Sequence, residues 1–423
     1  MVFTLLPVFT KIAMVYFLHA GGDPFMKIGL FGQFGSGNTG NDGSLEAMLR
    51  LLDRICPNAQ LVCICSRPDV ISEKYEIASA PVGQPASENR LMRTLNSVLL
   101  HVPRRLSGFV SAVSLAQGLD FIIVPGTGIL DDFNENPFGW PFAVLRWSVA
   151  AKIAGARLAF ISIGAGPVTL PLSRFFVRRA SMLASYRSYR DQVSLDFMRS
   201  LGVISINDVV TADIAFSLPT VEESVRKVGT QTIGLGIMDY KGWRKNAADA
   251  SLIYDTYLDK MAKLLDQLLA QGKQVRLLTG DRADFKAVED LLKRLAMHKS
   301  NSIIFEPALS LNQLMQQIAQ VDIVVASRYH NIVCALAMGR PAISVAYAKK
   351  NDALLHDTGL SQFCHHIENF EPTTLQAQIE RMLLQKDQLS IDVKAGVKQY
   401  RERLNVQEEM LRRSLFEQDR KKD

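Results

Sequence analysis

The sequence predicts an α/β protein with two doubly wound, Rossmann-like domains, each built on a mostly parallel sheet. Three observations lead there. At 423 residues the chain exceeds what one hydrophobic core organises, because cores stop growing near ~250–300 residues. Short apolar runs rich in β-branched residues alternate with longer amphipathic segments, the pattern of parallel strands joined by crossover helices. Three of the runs open into glycine-rich turns, where a strand of such a sheet hands over to its helix.

In chain order, residues 1–25, "MVFTLLPVFTKIAMVYFLHAGGDPF", come first. They are mostly apolar but carry Pro7 and lack a basic lead-in, and Met26 stands directly before the first strand. They read as a non-native or disordered extension, with a weak membrane anchor as the alternative. A first domain over 26–220 shows strands at Lys27–Gly32, Gln60–Ser66, Asp120–Pro125, Arg157–Ile163 and Arg187–Arg190. The segment "DGSLEAMLRLLDRI" is its clearest helix: Leu45, Met48, Leu49 and Leu52 form a stripe, and Asp42 or Ser44 can cap it. A boundary near 217–230 leads to a second domain over 221–423, with strands at Thr232–Ile237, Gln274–Thr279, Ser302–Glu306, Asp322–Ala326 and Ala342–Ala346. Two such domains predict ligand binding in a cleft where the carboxyl ends of their strands face each other.

Composition narrows the function class. A hydrophobic share of 48% and a charged share of 21% exclude disordered, collagen-like and coiled-coil chains. The five cysteines are odd in number and scattered, so they read as buried thiols in a reducing compartment. The expected address is the cytoplasm, with the inner face of the cell membrane as a variant of it. A net charge of +6 suits anionic partners, but no basic stripe interleaved with aromatics appears, so nucleic acid is not expected. The stretch "SENRLMRTLNSVLLHVPRRLSGFVSAV" mixes arginines with apolar residues at helical spacing; it reads as core plus solvated face or as a peripheral membrane contact.

Several residues carry the candidate chemistry. "GQFGSGNTGNDGS" after the first strand, containing Asn38, Gly40 and Asp42, resembles an anion-binding turn at a helix N-terminus, or is a flexible connection. "VPGTGILDD", with Gly126, Gly128 and Asp132, and "ISIGAGPV", with Gly164 and Gly166, repeat the arrangement. Arg190 and Asp191 close a strand; Asp191 fits a helix cap as well as a catalytic role, whereas Arg190 is expected to point at the cleft. Asp213 ends the first domain and suits either a hinge or an acceptor sugar. The sharpest signal is "SRYHN": Arg328 offers a fork for carboxylate or phosphate, and His330 can move a proton near neutral pH. Lys349 or Lys350 follows the next strand, as a further cation or as a solvated side chain. His356, Cys364, His365 and His366 match no metal-ligand spacing, and no metal or cofactor is expected.

Together, "GNTGNDGSLEAM", "PGTGILDD", "GAGPV", "YRDQVSLDFMRSLG", "TADIAFSL" and "SRYHNIVCALAMGRPAISVAYAKK" resemble the polysaccharide pyruvyl transferase family over roughly residues 27 to 360. Arg328 and His330 match its Arg-x-His, Arg190 and Asp191 its Arg-Asp, and Asn38 and Gly40 its Asn-x-Gly. The resemblance implies a GT-B-like fold, phosphoenolpyruvate as donor, and a pyruvate ketal formed on a saccharide or lipid-linked saccharide, such as an exopolysaccharide or cell-surface glycan precursor. His330, Arg328 and Arg190 are then the expected catalytic residues. The departures are Asn41, which separates Gly40 from Asp42, and a second block poorer in glycine than the family's. A nucleotide-sugar glycosyltransferase of the same shape and a non-catalytic saccharide-binding protein are the alternatives.

Overall fold

A computed structural model describes residues 25–83, 102–132, 135–222, 231–242, 249–295 and 301–413. The expected N-terminal extension or anchor, at residues 1–24, lies outside them, as do residues 84–101 and the charged tail from 414 onward. The chain divides into two compact units. The first comprises Met1–Ser36, Met48–Arg190 and Ser194–Val210; the second comprises Gly37–Ala47, Asp191–Val193 and Thr211–Asp423.

The first unit holds seven parallel strands: β1 (Lys27–Gly32), β2 (Gln60–Cys65), β3 (Ala78–Pro81), β4 (Phe121–Pro125), β5 (Arg157–Ile163), β6 (Tyr186–Tyr189) and β7 (Val209–Val210). Their order is β3-β2-β1-β4-β5-β6-β7. The second holds β8 (Thr232–Gly236), β9 (Gln274–Leu278), β10 (Ile303–Phe305), β11 (Ile323–Ala326), β12 (Ala342–Ala346) and β13 (Cys364–His366), ordered β10-β9-β8-β11-β12-β13. Each unit is thus wound outward in both directions from its first strand. The winding reverses between β1 and β4 in one sheet and between β8 and β11 in the other, the place where such sheets bind ligands.

Burial explains why these runs became strands. β4 is buried at all five positions and β11 at all four, so their apolar side chains are taken up by helices on both faces. In the first unit Phe31, Ile122, Phe160, Val144 and Trp147 meet in one cluster, and each fully buried apolar side chain is worth ~1.5–3 kcal/mol relative to exposure. The expected strands all form, with ends shifted by at most a residue or two. Three short strands, β3, β7 and β13, were not expected. The β5–β6 pairing shifts register between Phe160 and Ile163, and there the fully buried Ser162 adopts φ 53°. A non-glycine residue in the left-handed region is strained, and the bulge it occupies turns the end of β5 toward Gly164.

The helix expected to begin at Asp42 or Ser44 instead spans Thr39–Ile55. Its cap is Asn38, whose Oδ1 accepts from the amides of Gly40 and Asn41 at 3.1 and 3.2 Å, while Ser44 Oγ donates to Gly40 O inside the helix. Among the described residues no helix is long and apolar enough to cross a membrane. Cys63, Cys65 and Cys334 are buried, Cys56 and Cys364 half-buried, and none of the five forms a disulfide.

Candidate active site

"SRYHN" lies where β11 ends and the helix Tyr329–Ala337 begins, at the reversal point of the second sheet. The ring of His330 is seated directly on Gly40: a Cβ built there would fall 1.9 Å from Nδ1. Only glycine at 40 permits this approach. On its other side, His330 Nε2 lies 3.8 Å from Oδ2 of Asp213, a carboxylate that is 1% exposed and whose Oδ1 accepts the Ala215 amide at 3.0 Å. The contact is an ion-pair distance and longer than a hydrogen bond. Asp213, expected at a hinge or against a sugar, is therefore the charge beside the imidazole.

Arg328 departs from expectation. Its Nε and Nη2 donate to Oδ2 and Oδ1 of Asp284 at 2.9 and 2.6 Å, so the fork expected for a substrate anion is closed on an internal carboxylate. Asp284 is wholly buried and also accepts the amides of Gly280 and Asp239, which ties together the segments after β8, β9 and β11. Burial works against the Arg328 charge, but the pull and hydrogen bonds of Asp284 outweigh it and raise its pKa above the ordinary arginine value. Nη1 makes no hydrogen bond among the described residues and is the donor left for another group.

The first glycine loop also differs from an open anion cradle. Besides the two amides that Asn38 Oδ1 takes, Thr39 N donates to Gly280 O and Asp42 N to Asn38 O. The leading amides of the helix are thus satisfied internally, and none is left to hold a phosphate. Asn38 Nδ2 reaches Asp281 Oδ2 at 3.2 Å, and Thr39 Oγ1 donates to Gly280 O at 2.8 Å. The loop's work is to pin Gly40 under His330. Asp42 is buried in the first turn of the same helix.

Of the two lysines after β12, Lys349 is exposed, whereas Lys350 Nζ stands 5.7 Å from the Tyr329 ring and 5.4 Å from the Tyr347 ring. Tyr347 stacks on Tyr240 at 5.9 Å, and Tyr240 donates to Glu368 Oε1. Lys350 is therefore the cation held beside "SRYHN".

In the first unit, the guanidinium of Arg190 lies on Gly164, where a Cβ would come within 2.5 Å of Cζ. Arg190 is 7% exposed, and its amide donates to Ile163 O. Gly126 (φ 44°) donates to Ile161 O, and Gly164 and Gly166 donate to Thr127 O and Leu130 O, so these turns are stitched to one another; Gly128 is half-buried between them. Asp132 accepts from Thr169 N, Thr169 Oγ1 and Leu170 N and so fastens the start of the helix Pro171–Met182, a structural part in place of the expected substrate contact. Asp191 directly precedes the helix Gln192–Ser200, the position of a cap.

Sequence reasoning passed over Asp284, Asp281 and Asn331. The run "TGDRADF" after β9 carried a signal, three charged residues following a strand's last residues. Asn331 is 0% exposed, and neither of its amide atoms has a hydrogen-bond partner among the described residues. No group of three or more histidine, cysteine, aspartate or glutamate side chains is placed to hold a metal among the described residues.

Residues 38–349 match the model of a protein family described as polysaccharide pyruvyl transferase. No curated protein sequence it was compared with is a match. Among solved structures the chain is similar to a putative UDP-N-acetylglucosamine 2-epimerase from Listeria monocytogenes, at 11% identity and TM-score 0.58, covering 87% of this chain and 90% of that one. It also resembles the UDP-GlcNAc 2-epimerase from Neisseria meningitidis bound to UDP-GlcNAc (11%, TM-score 0.54, 88% and 94%). A glycosyltransferase from Rickettsia africae is a third likeness (12%, TM-score 0.52, 93% and 100%). At such identities the likeness shows the fold, a GT-B-like pair of Rossmann-like domains.

Proposed function

We propose, for a chain that belongs to the polysaccharide pyruvyl transferase family, that phosphoenolpyruvate donates the pyruvyl group and that two hydroxyls of a saccharide receive it as a ketal. The observation that carries this reading is His330, seated on Gly40 with the Asp213 carboxylate 3.8 Å from Nε2. A proton donor with a fixed negative charge beside it is what an enol phosphate needs first.

The chemistry then follows in order. His330 gives its proton to C3 of the enol, which becomes the methyl carbon, and C2 turns electrophilic. One sugar hydroxyl adds to C2 and returns its proton to His330. The second hydroxyl displaces phosphate from C2, closing the ketal ring, and its proton leaves with the phosphate. The donor's carboxylate and phosphate call for cations, for which Lys350, beside "SRYHN", is the candidate. Arg328 serves mainly by holding Asp284 and the segments around it, with Nη1 left for the donor.

Thermal unfolding of the full chain with phosphoenolpyruvate, and separately with UDP, tests the reading, since a ligand that binds only the folded state raises the midpoint. A rise with phosphoenolpyruvate, kept in His330→Ala, is expected. A rise with UDP and none with phosphoenolpyruvate would replace the reading with a nucleotide-sugar enzyme.

A further inference from the structure

Three helices of the first unit lie side by side, Val102–Ala116 against Trp140–Ala154 and the latter against Pro171–Met182. Together they carry seven arginines and lysines and not one aspartate or glutamate, in a chain with 42 acidic residues. Of these cations Arg104, Lys152, Arg174, Arg178 and Arg179 are exposed.

Large apolar side chains stand exposed among them. Val102, Leu106 and Val110 follow one another at four-residue spacing along one stripe of the first helix, with Leu106 61% and Val110 66% exposed. Leu172, Phe175 and Met182, spaced by three and seven, lie along one stripe of the third helix. Aromatic contacts join the two. Arg105 lies over the Phe138 ring at 3.9 Å, Phe138 meets Phe176 at 5.8 Å, and Arg179 lies over Phe175 at 5.3 Å. The first and third helices thus each present exposed apolar and positive side chains, and Phe138 and Phe176 link them.

We infer that this face docks on the surface of an anionic lipid bilayer. Apolar side chains projecting among arginines, with no acid on the three helices to repel lipid phosphate, are what an interfacial surface presents: the apolar groups enter the headgroup boundary while the cations meet the lipid charge. No described helix spans a bilayer, so the protein would lie on the surface there. A second copy of the chain is the poorer occupant. A two-fold contact through this face would set its cations against themselves with no counter-charge. The inference does not depend on the reaction proposed above.

Co-sedimentation of the full chain with vesicles tests it, using phosphatidylcholine alone and phosphatidylcholine mixed with phosphatidylglycerol. Binding is expected to the anionic vesicles only and to fall as salt is added. Two variants remove the face in different ways: R174E/R178E/R179E reverses its charge, and L106S/F175S removes its apolar reach. Each should lower the vesicle partition coefficient roughly tenfold or more. Lys398→Glu, an exposed reversal in the second unit, should not. All the substituted side chains are exposed, so an unchanged unfolding midpoint confirms that the variants fold. The inference falls if wild type ignores anionic vesicles at low salt, if both variants bind as wild type does, or if wild type sediments as a dimer that L106S/F175S dissociates.

Discussion

Arg328 and Asp284, 44 residues apart, form a two-pronged ion pair with N–O distances of 2.9 and 2.6 Å, and the carboxylate is fully buried. Removing one partner leaves the other's charge in the interior. Arg328→Ala and Asp284→Asn should each destabilise the second unit, the former by ~3–5 kcal/mol, as read by urea unfolding. Replacing both with apolar residues should recover only part of the loss, because the amides of Gly280 and Asp239 would lose their acceptor. If Arg328→Ala unfolds like wild type and only loses donor affinity, the arginine is a substrate ligand first.

Gly40→Ala places a methyl group where the His330 ring now rests. The ring must move, and a shift of an ångström at a reacting group costs on the order of 100-fold in rate. Phosphate release from phosphoenolpyruvate with a saccharide acceptor should fall by that much, while donor binding, read by thermal shift, stays.

Asp213 has two duties that one substitution separates. Asp213→Asn keeps an oxygen for the Ala215 amide but removes the charge beside His330. The turnover number should drop on the order of 100-fold with little change in unfolding midpoint. Asp213→Ala should lose both rate and stability.

The two lysines are predicted to differ. Lys350→Ala should weaken phosphoenolpyruvate binding by about tenfold or more, the cost of a hydrogen bond to a charged group, whereas Lys349→Ala should leave it within about twofold. Titration calorimetry of each variant decides between them. Equal effects would remove Lys350 from the site.

Away from the site, Asp290 carries a pH signature. Lys286 at 2.6 Å, then Lys293 and Tyr254, hold its carboxyl down at about 2. A depressed acid contributes stability that is fully present above its unfolded value, near ~3.9, and is lost as pH falls toward about 2. Acid unfolding should therefore steepen below about pH 4, and Asp290→Asn should flatten that limb.

Much of the fold was legible because its strands are buried on both faces and so read as unbroken apolar runs. β1, β5 and β12 have the bounds expected from sequence. β3, β7 and β13 escaped because each is two to four residues long at a sheet edge, too short to read as an apolar run. The start of the helix at Thr39 was obscured by an excess of capping candidates. Asn38, Thr39, Asn41, Asp42 and Ser44 can all cap, and only the fold selects Asn38. In the site, the sequence marks residues able to do chemistry but not what each faces. Asp284 closes the Arg328 fork, Gly40 carries His330, and Asp132 holds Thr169 and Leu170, all through partners distant in the chain.

The second unit is not one continuous stretch of chain. It takes in Gly37–Ala47, ahead of most of the first unit's residues, and these include the glycine on which His330 rests. A gene cut at residue 211 would therefore yield a C-terminal fragment with its sheet sequence complete but its imidazole lacking a floor. Splitting the protein there and recombining the halves by domain exchange with a relative should fail to give activity unless the eleven residues from Gly37 to Ala47 travel with the second half.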